Sequence, residues 1–402
     1  MTFELGEEHE AFRKSVRDFA EREVAPHVAD WDRRHHLPLE VVRAMGDLGL
    51  FGLVVPEEYG GAGEGGDFTS LCVAIEELGR VDQSIGITLS AGVGLGINPI
   101  LTYGTDEQKE TWLPDLVAGT KLAGFGLTEP GAGSDAGATK TKAELVDGEW
   151  VVNGAKQFIT NSGSDITSVV TVTARTGTAT SATTGEDKAE ISTIMVPSGT
   201  PGFTAEKAYD KLGWHASDTH PLSFDDARVP EDHLLSERGR GYAQFLAILD
   251  DGRVAISALA VGCIQACLDL SLQYAGERTT FGVPIGRKQG VAFQIADLET
   301  MLHASRLLTY RAAAMKDSME AGGSGAASMK AFKQAAAVAK LYTTESAVTA
   351  TRIATQVFGG YGFMEEYPVA RFYRDAKVLE IGEGTSEVQR MLIARGLGLP
   401  VE

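Results

Sequence analysis

Ala123-Gly124-Phe125-Gly126-Leu127-Thr128-Glu129-Pro130-Gly131-Ala132-Gly133-Ser134-Asp135 is the stretch where the chain changes character. Before it, apolar residues recur at helical spacing. From residue 121 the period shortens to that of a strand, and the run ends in a glycine-rich turn. Asp147-Gly148 then separates Ala143–Val146 from Trp150–Val152, a strong hairpin signal. Asn153-Gly154 predicts a second turn. Phe158–Thr160, Ser168–Ala174, Ile191–Val196 and Leu222–Phe224 continue the strands. This predicts an antiparallel sheet domain of roughly a hundred residues. Thr176–Glu190, rich in Thr, Ala, Gly and Ser, predicts a mobile hairpin insertion.

Upstream, helical spacing runs over residues 8–29, Leu39–Leu50 and Phe68–Leu78, and a fresh start at Thr105 leads to Leu116. Residues 84–104 are small and apolar with many glycines, a composition a helix tolerates best where something large lies close. Gly61-Ala62-Gly63-Glu64-Gly65-Gly66 is a literal GxGxxG. Five residues, including Pro56, separate it from Val55, and acidic neighbours would repel a pyrophosphate. It predicts a flexible surface loop. From Pro230 the helical period returns in three long segments, Ala243–Gly276, Val291–Met319 and Lys330–Phe358, with Ala321–Ser328 as a flexible connector. The fold class is therefore α+β: an N-terminal helical domain (1–120), a central antiparallel β domain (121–230) and a C-terminal four-helix bundle (231–402).

Composition narrows the function. The 402 residues carry 36 Lys and Arg against 55 Asp and Glu, a net charge of −19. That balance opposes general binding to nucleic acid or an anionic membrane. Cys72, Cys263 and Cys267 form no CxxC pair, and the eight histidines show no ligand-like spacing, so neither a disulfide framework nor a metal site is expected. The acidic N-terminus does not resemble a signal peptide, and no apolar run suggests a membrane span. A cytoplasmic enzyme is the natural expectation.

Near the C-terminus stands Leu379-Glu380-Ile381-Gly382-Glu383-Gly384-Thr385-Ser386-Glu387-Val388-Gln389-Arg390. A carboxylate lies between two glycines, and Thr385 or Ser386 can cap the helix that follows. A capped helix start also leaves amides free for an anion. On this segment alone, a plain helix start with an incidental Glu383 is favoured over an acid or base presented on a loop.

Six separated motifs together resemble the flavin-dependent acyl-CoA dehydrogenase family over essentially the whole chain. They are Leu127–Asp135, Asn153–Asn161, Leu249–Arg253, Arg278–Gly282 with Gln289, Gln356–Gly362 and Gly382–Glu387. The resemblance implies FAD, an acyl-CoA substrate, oxidation of its Cα–Cβ bond to the trans-2-enoyl-CoA, electron-transfer flavoprotein as acceptor, and a homotetramer. It implies Glu383 as the base that removes the α-proton, with its own amide helping to hold the thioester oxygen and flavin N5 taking the β-hydride. Desolvation would make that carboxylate more basic.

For FAD, the resemblance assigns Phe125, Leu127, Thr128, Gly133 and Ser134, then Phe158, Ile159 and Thr160 over the ring face. Arg278, Phe281 and Gln289 would reach the FAD of a neighbouring subunit. Gln356, Val357, Gly359 and Gly360 would lie along the adenosine half, and Thr385, Ser386 and Glu387 along the diphosphate. Ser134, Asp250, Asp251, Gly252, Arg253 and Gly384 match positions that hold the CoA moiety. Some branches place the base just before the arginine matching Arg253. Gly252 stands there in this chain, which leaves the role to Glu383 and brings the motifs nearest the short-chain and short/branched-chain group. Gly382 replaces a tyrosine common before the base, and Phe158 replaces a common tryptophan. An acyl-CoA oxidase, a flavin monooxygenase or a non-catalytic acyl-CoA binder on the same fold are the alternatives.

Overall fold

The computed structural model describes residues 5–180, 187–322 and 325–401. Its order is helical, then sheet, then helical, as the change of period at residue 121 requires. The N-terminal part contains helices Glu7–Phe19, Val28–Arg34, Leu39–Asp47, Phe68–Val81, Gln83–Ala91, Asn98–Tyr103 and Asp106–Val117. Three of these starts are set by side-chain caps. Asp67 accepts from the Ser70 amide, Asp82 from the Ile85 amide, and Thr105 and Gln108 form a reciprocal capping box.

Between Ala91 and Asn98 the helix widens into a π turn, Gly92–Ile97. A Cβ on Gly92 would lie 2.7 Å from the Phe51 ring, and one on Gly96 3.0 Å from the Ala123 carbonyl oxygen. The small residues thus serve close packing, as their composition suggests. A Cβ on Gly94 would meet nothing within 4 Å.

The GxGxxG stretch differs from expectation. Rather than a loose loop, it is a packed turn. A Cβ on Gly61 would fall 2.0 Å from the Val55 carbonyl oxygen, and the Gly63 amide donates to that same oxygen at 3.1 Å.

The eight strands of the main sheet span Leu122–Leu235. Seven run in the order Phe203–Ala205, Thr219–Pro230, Glu149–Thr160, Lys142–Val146, Thr167–Thr180, Asp187–Pro197, Leu234–Leu235. Leu122–Gly126 pairs with Thr167–Thr180 in parallel, and Lys142 meets Arg175 in parallel too, so the sheet is mixed rather than wholly antiparallel. Parallel pairing needs a long crossover. The chain between Gly126 and Thr167 supplies it, carrying two other strands.

Asp147-Gly148 turns as predicted, with φ of 53° and 83°. Asn153-Gly154 does not turn. It lies inside Glu149–Thr160, where the register slips between Val152 and Gly154, and the Asn153 side chain exchanges two hydrogen bonds with Asp226 across the pair. A bulge satisfies the same glycine backbone preference that suggested a turn. The insertion at 176–190 has ordered arms, since Gly177–Thr180 pair with Asp187–Glu190, and residues 181–186 lie outside those described.

Gly241–Glu277 is the central helix of the C-terminal part. Every residue from Asp250 to Ile264 on it is buried. A helix apolar on all sides belongs inside a core. Gln289–Glu320, Gly325–Phe358 and Phe68–Val81 pack around it, and Ser386–Gly396 lies on Gly325–Phe358. The expected connector is shorter than 321–328, because Gly325 already begins a helix; residues 323–324 lie outside those described. Gln83–Tyr103 and Gly241–Glu277 are in fact long and apolar enough to cross a membrane, contrary to the sequence expectation, but most of each is buried within the fold. Core helices meet the same length test.

Candidate active site

Glu383 lies on the loop between the short turn Lys377–Glu380 and the helix Ser386–Gly396. Thr385 caps that helix, its Oγ1 accepting from the Val388 amide. Glu383 has φ of 54° and Gly384 φ of 87°. A left-handed glutamate is uncommon and persists where the surroundings enforce it. Here Gln389 Nε2 donates to the carbonyls of both Glu383 and Gly384, at 3.2 and 2.9 Å, and Lys340 Nζ donates to the Gly384 carbonyl at 2.8 Å.

The Glu383 carboxylate is driven against the central helix at Gly252. A Cβ there would lie 2.6 Å from Glu383 Oε2, so any larger residue would have to displace the carboxylate from this position. Oε2 is buried with no hydrogen-bond partner. Burial pushes the Glu383 carboxyl up to about 7, against the pull of Arg253 and Lys340. A carboxylate so placed is a proton acceptor poised near neutrality.

Arg253, Gly384 and Ser386 share this region. Arg253 and Asp250 are a buried ion pair, with Lys333 3.2 Å from the other Asp250 oxygen. Asp251 pairs with Lys316 at 2.9 Å and meets Asn98. Both aspartates are therefore taken up by cations of the chain itself, as buried carboxylates require.

A second group forms around the loop after Leu122–Gly126. Lys156, fully buried, donates to Glu129 at 2.7 Å, to the Leu127 carbonyl at 3.2 Å, and to the hydroxyls of Thr139 and Thr173. Glu129 also accepts from the amides of Lys140 and Thr141. Burial alone would raise the Glu129 carboxyl, but Lys156 and these donors hold it low, and the pair stays charged. This network holds the Leu127 carbonyl, the Gln157 amide holds that of Thr128 at 2.8 Å, and Gly133 and Ser134 are exposed at the tip. Phe125 is buried, stacked on Phe245 at 3.8 Å, and Ile159 points into the sheet core. Phe158 instead is 62% exposed with φ of 60°, lifted out by a register shift before Ile159, and Thr160 is half-buried beside it.

The third group is a cavity of about 580 Å³ lined by Arg278, Thr280, Val357, Gly359, Gly360 and Tyr361, among others. Arg278 stands 5.5 Å over the Tyr361 ring. Gln356 and Gln289 are exposed, Glu387 is exposed on the helix after Glu383, and Phe281 is 96% exposed on a hairpin tip with φ of 50°.

Sequence reading quoted Glu129, Lys156 and Gln389 inside motifs without assigning them a role, and missed Lys340. For Lys340 a signal existed: a lysine following Ala335–Ala339 on a helical core face.

The residues fit a large anionic flavin ligand. Ser386 Oγ, at the start of the helix Ser386–Gly396, and Arg253 Nε, on the central helix, are buried donors without hydrogen-bond partners. An aromatic ring is held out of the sheet, and a separate cavity offers an arginine beside open glycines. Fold and site together present a buried carboxylate able to take up a proton.

Comparison with known proteins identifies the class. Family models for the acyl-CoA dehydrogenase N-terminal, middle and C-terminal domains match residues 6–120, 124–227 and 239–398. A Bacillus subtilis protein named probable acyl-CoA dehydrogenase YngJ is 45% identical over 99% of this chain and 100% of its own. The mitochondrial short-chain specific acyl-CoA dehydrogenase of Mus musculus is 41% identical over 97% of this chain and 90% of its own. The butyryl-CoA dehydrogenase structure from Megasphaera elsdenii superposes with a TM-score of 0.90, at 40% identity, covering 99% of this chain and 100% of that one. A chain in the structure of the electron transferring flavoprotein of Acidaminococcus fermentans matches with the same TM-score at 38% identity, over 99% of both chains. The chain belongs to the acyl-CoA dehydrogenase family, and it is an FAD-dependent oxidoreductase of that family.

Proposed function

We propose that this enzyme oxidises a short acyl-CoA to its trans-2-enoyl-CoA, with Glu383 as the base that takes the α-proton, and passes the electrons to electron-transfer flavoprotein. The observation that carries the reading is the Glu383 carboxylate, buried against Gly252 with Oε2 unpartnered. The names of the mouse and Megasphaera relatives support a short acyl chain.

The loop Leu127–Ser134 and the strand end Phe158–Thr160 would hold the flavin ring of FAD. Thr385 and Ser386 would hold its diphosphate. Arg278, Phe281, Gln289 and Gln356–Gly360 would complete the site of a second copy in a homotetramer. When bound, FAD supplies the acceptor for the hydride leaving the β-carbon. The chain's own work is to hold the thioester, exclude water and move one proton. Ser134, Arg253 and Gly384 would orient the CoA arm. The amides of Glu383 and Gly384, which donate no hydrogen bond among the described residues, are available to the thioester oxygen as charge develops on it. The α-proton passes to Glu383, which must be ionised to accept it.

The test is a panel from butyryl-CoA to palmitoyl-CoA, with isobutyryl-CoA, given anaerobically to the FAD-loaded enzyme. Butyryl-CoA is expected to bleach the flavin with the highest kcat/KM, with slow oxygen uptake when air is admitted. Rapid peroxide formation would support an oxidase instead. Because only the ionised carboxylate accepts a proton, kcat/KM is expected to fall as pH drops through about 7.

Gly252 tests the geometry. Helix propensity alone favours alanine there by roughly 1 kcal/mol. Its methyl would nevertheless displace the Glu383 carboxylate. Gly252→Ala is expected to fold and bind FAD while losing on the order of 10²-fold in kcat, the penalty of a misplaced reacting group. Steady-state kinetics beside a thermal melt separates the two effects.

A further inference from the structure

Lys340 is fully buried on the helix Gly325–Phe358, and it forms no ion pair among the described residues. Its one hydrogen bond goes to the Gly384 carbonyl. A buried lysine with a single neutral partner is expensive, and cores usually avoid it. Gln389, equally buried, holds the neighbouring carbonyl of Glu383 as well as that of Gly384. Two polar side chains from two helices thus converge on one left-handed dipeptide, and the first residue of that dipeptide is Glu383.

We propose that Lys340 is a positioning residue for Glu383: with Gln389 it fixes the two carbonyls of the base loop, and its ammonium supplies a positive charge within reach of the Glu383 carboxylate. The inference rests on the reading of Glu383 as the base. Holding both carbonyls toward Lys340 and Gln389 leaves the amides of the dipeptide for a ligand. The charged groups around Lys340 are Glu383 and Glu380 on the loop side, Arg253 on the central helix and Glu345 on its own helix. Asp250 and Lys333 accompany Arg253. Burial lowers the Lys340 ammonium to about 8, Glu383 opposes that shift, and Lys340 in turn holds the Glu383 carboxyl below where burial alone would put it.

The test compares FAD-loaded wild type, Lys340→Met, Lys340→Gln and Gln389→Leu. Two readouts are used: the pH profile of kcat/KM, and infrared titration of the Glu383 carboxyl, taken as the difference from Glu383→Gln. Lys340→Met loses charge and donor. Its acid limb and its infrared titration should both move to higher pH by about one unit, the scale of a lost neighbouring charge, with kcat down about tenfold or more. Lys340→Gln keeps a donor without the charge, so the limb should move while kcat recovers in part. Gln389→Leu should lower kcat with the limb unmoved. A merely structural lysine would change melting temperature and leave both titrations in place. Folded, FAD-loaded Lys340→Met with unchanged titration and kcat overturns the proposal. If that variant does not fold, an unmoved titration in Lys340→Gln does so. A shifted infrared titration beside an unshifted kinetic limb would keep Lys340 and reject Glu383 as the base.

Discussion

Glu383→Gln lowers kcat/KM by about two to four orders of magnitude, the usual worth of a positioned general base, while FAD content and acyl-CoA binding stay near wild type. Glutamine keeps the length and shape that fit against Gly252, so the pocket does not collapse. It cannot accept the proton. Nor does the substitution cost stability, because the buried Oε2 makes no hydrogen bond that would be lost. The acid limb near pH 7 disappears with the group that produces it. Stopped-flow bleaching by butyryl-CoA, with flavin quantified by absorbance, reads all of these together. Dehydrogenation at near wild-type rate would remove Glu383 from the chemistry.

Lys156→Met is the largest stability effect expected. Methionine approximates the lysine stem but leaves Glu129 buried without its cation. Breaking a buried pair this way costs about 3–5 kcal/mol. The loss is local in origin, since Lys156 also ties Leu127, Thr139 and Thr173. The loop Leu127–Asp135 should therefore loosen, and FAD retention should fall with stability. Adding Glu129→Gln to Lys156→Met removes the stranded charge and should recover part of the loss. Urea unfolding of the wild type and both variants, with bound flavin measured in each, checks both the energy and its coupling to the cofactor.

Much of this was legible in one dimension. The periods of 3.6 and 2 divided the chain, and Asp147-Gly148 turned because hairpin geometry needs two left-handed residues there. Asn153-Gly154 carries the same local preference and does something else. Pairing with Thr219–Pro230, which comes much later in the chain, makes it a bulge. The parallel placement of Leu122–Gly126 likewise depends on where the crossover lands. At the site, Glu383 stood out in the sequence through its glycine frame and Gly252 through its place before Arg253, and the structure sets these two residues against each other. Phe158 was visible as an aromatic in a motif, but its outward, left-handed posture was not. Lys340 was the least legible. Only the apolar run Ala335–Ala339 before it hints that this helical lysine is buried, and its partner Gly384 is on another element. Asp250 and Asp251, expected at the CoA moiety, are paired with Arg253, Lys333 and Lys316. Depth of burial decides that, and sequence does not display it.

The most direct measurement is exchange of the substrate α-protons with D2O, followed by NMR on butyryl-CoA with the FAD-loaded enzyme held anaerobically. Proton abstraction by Glu383 predicts enzyme-dependent deuterium incorporation at Cα in wild type, weakening as pH falls through about 7, and none above background in Glu383→Gln that still binds the substrate. Exchange at the wild-type rate in Glu383→Gln would contradict it.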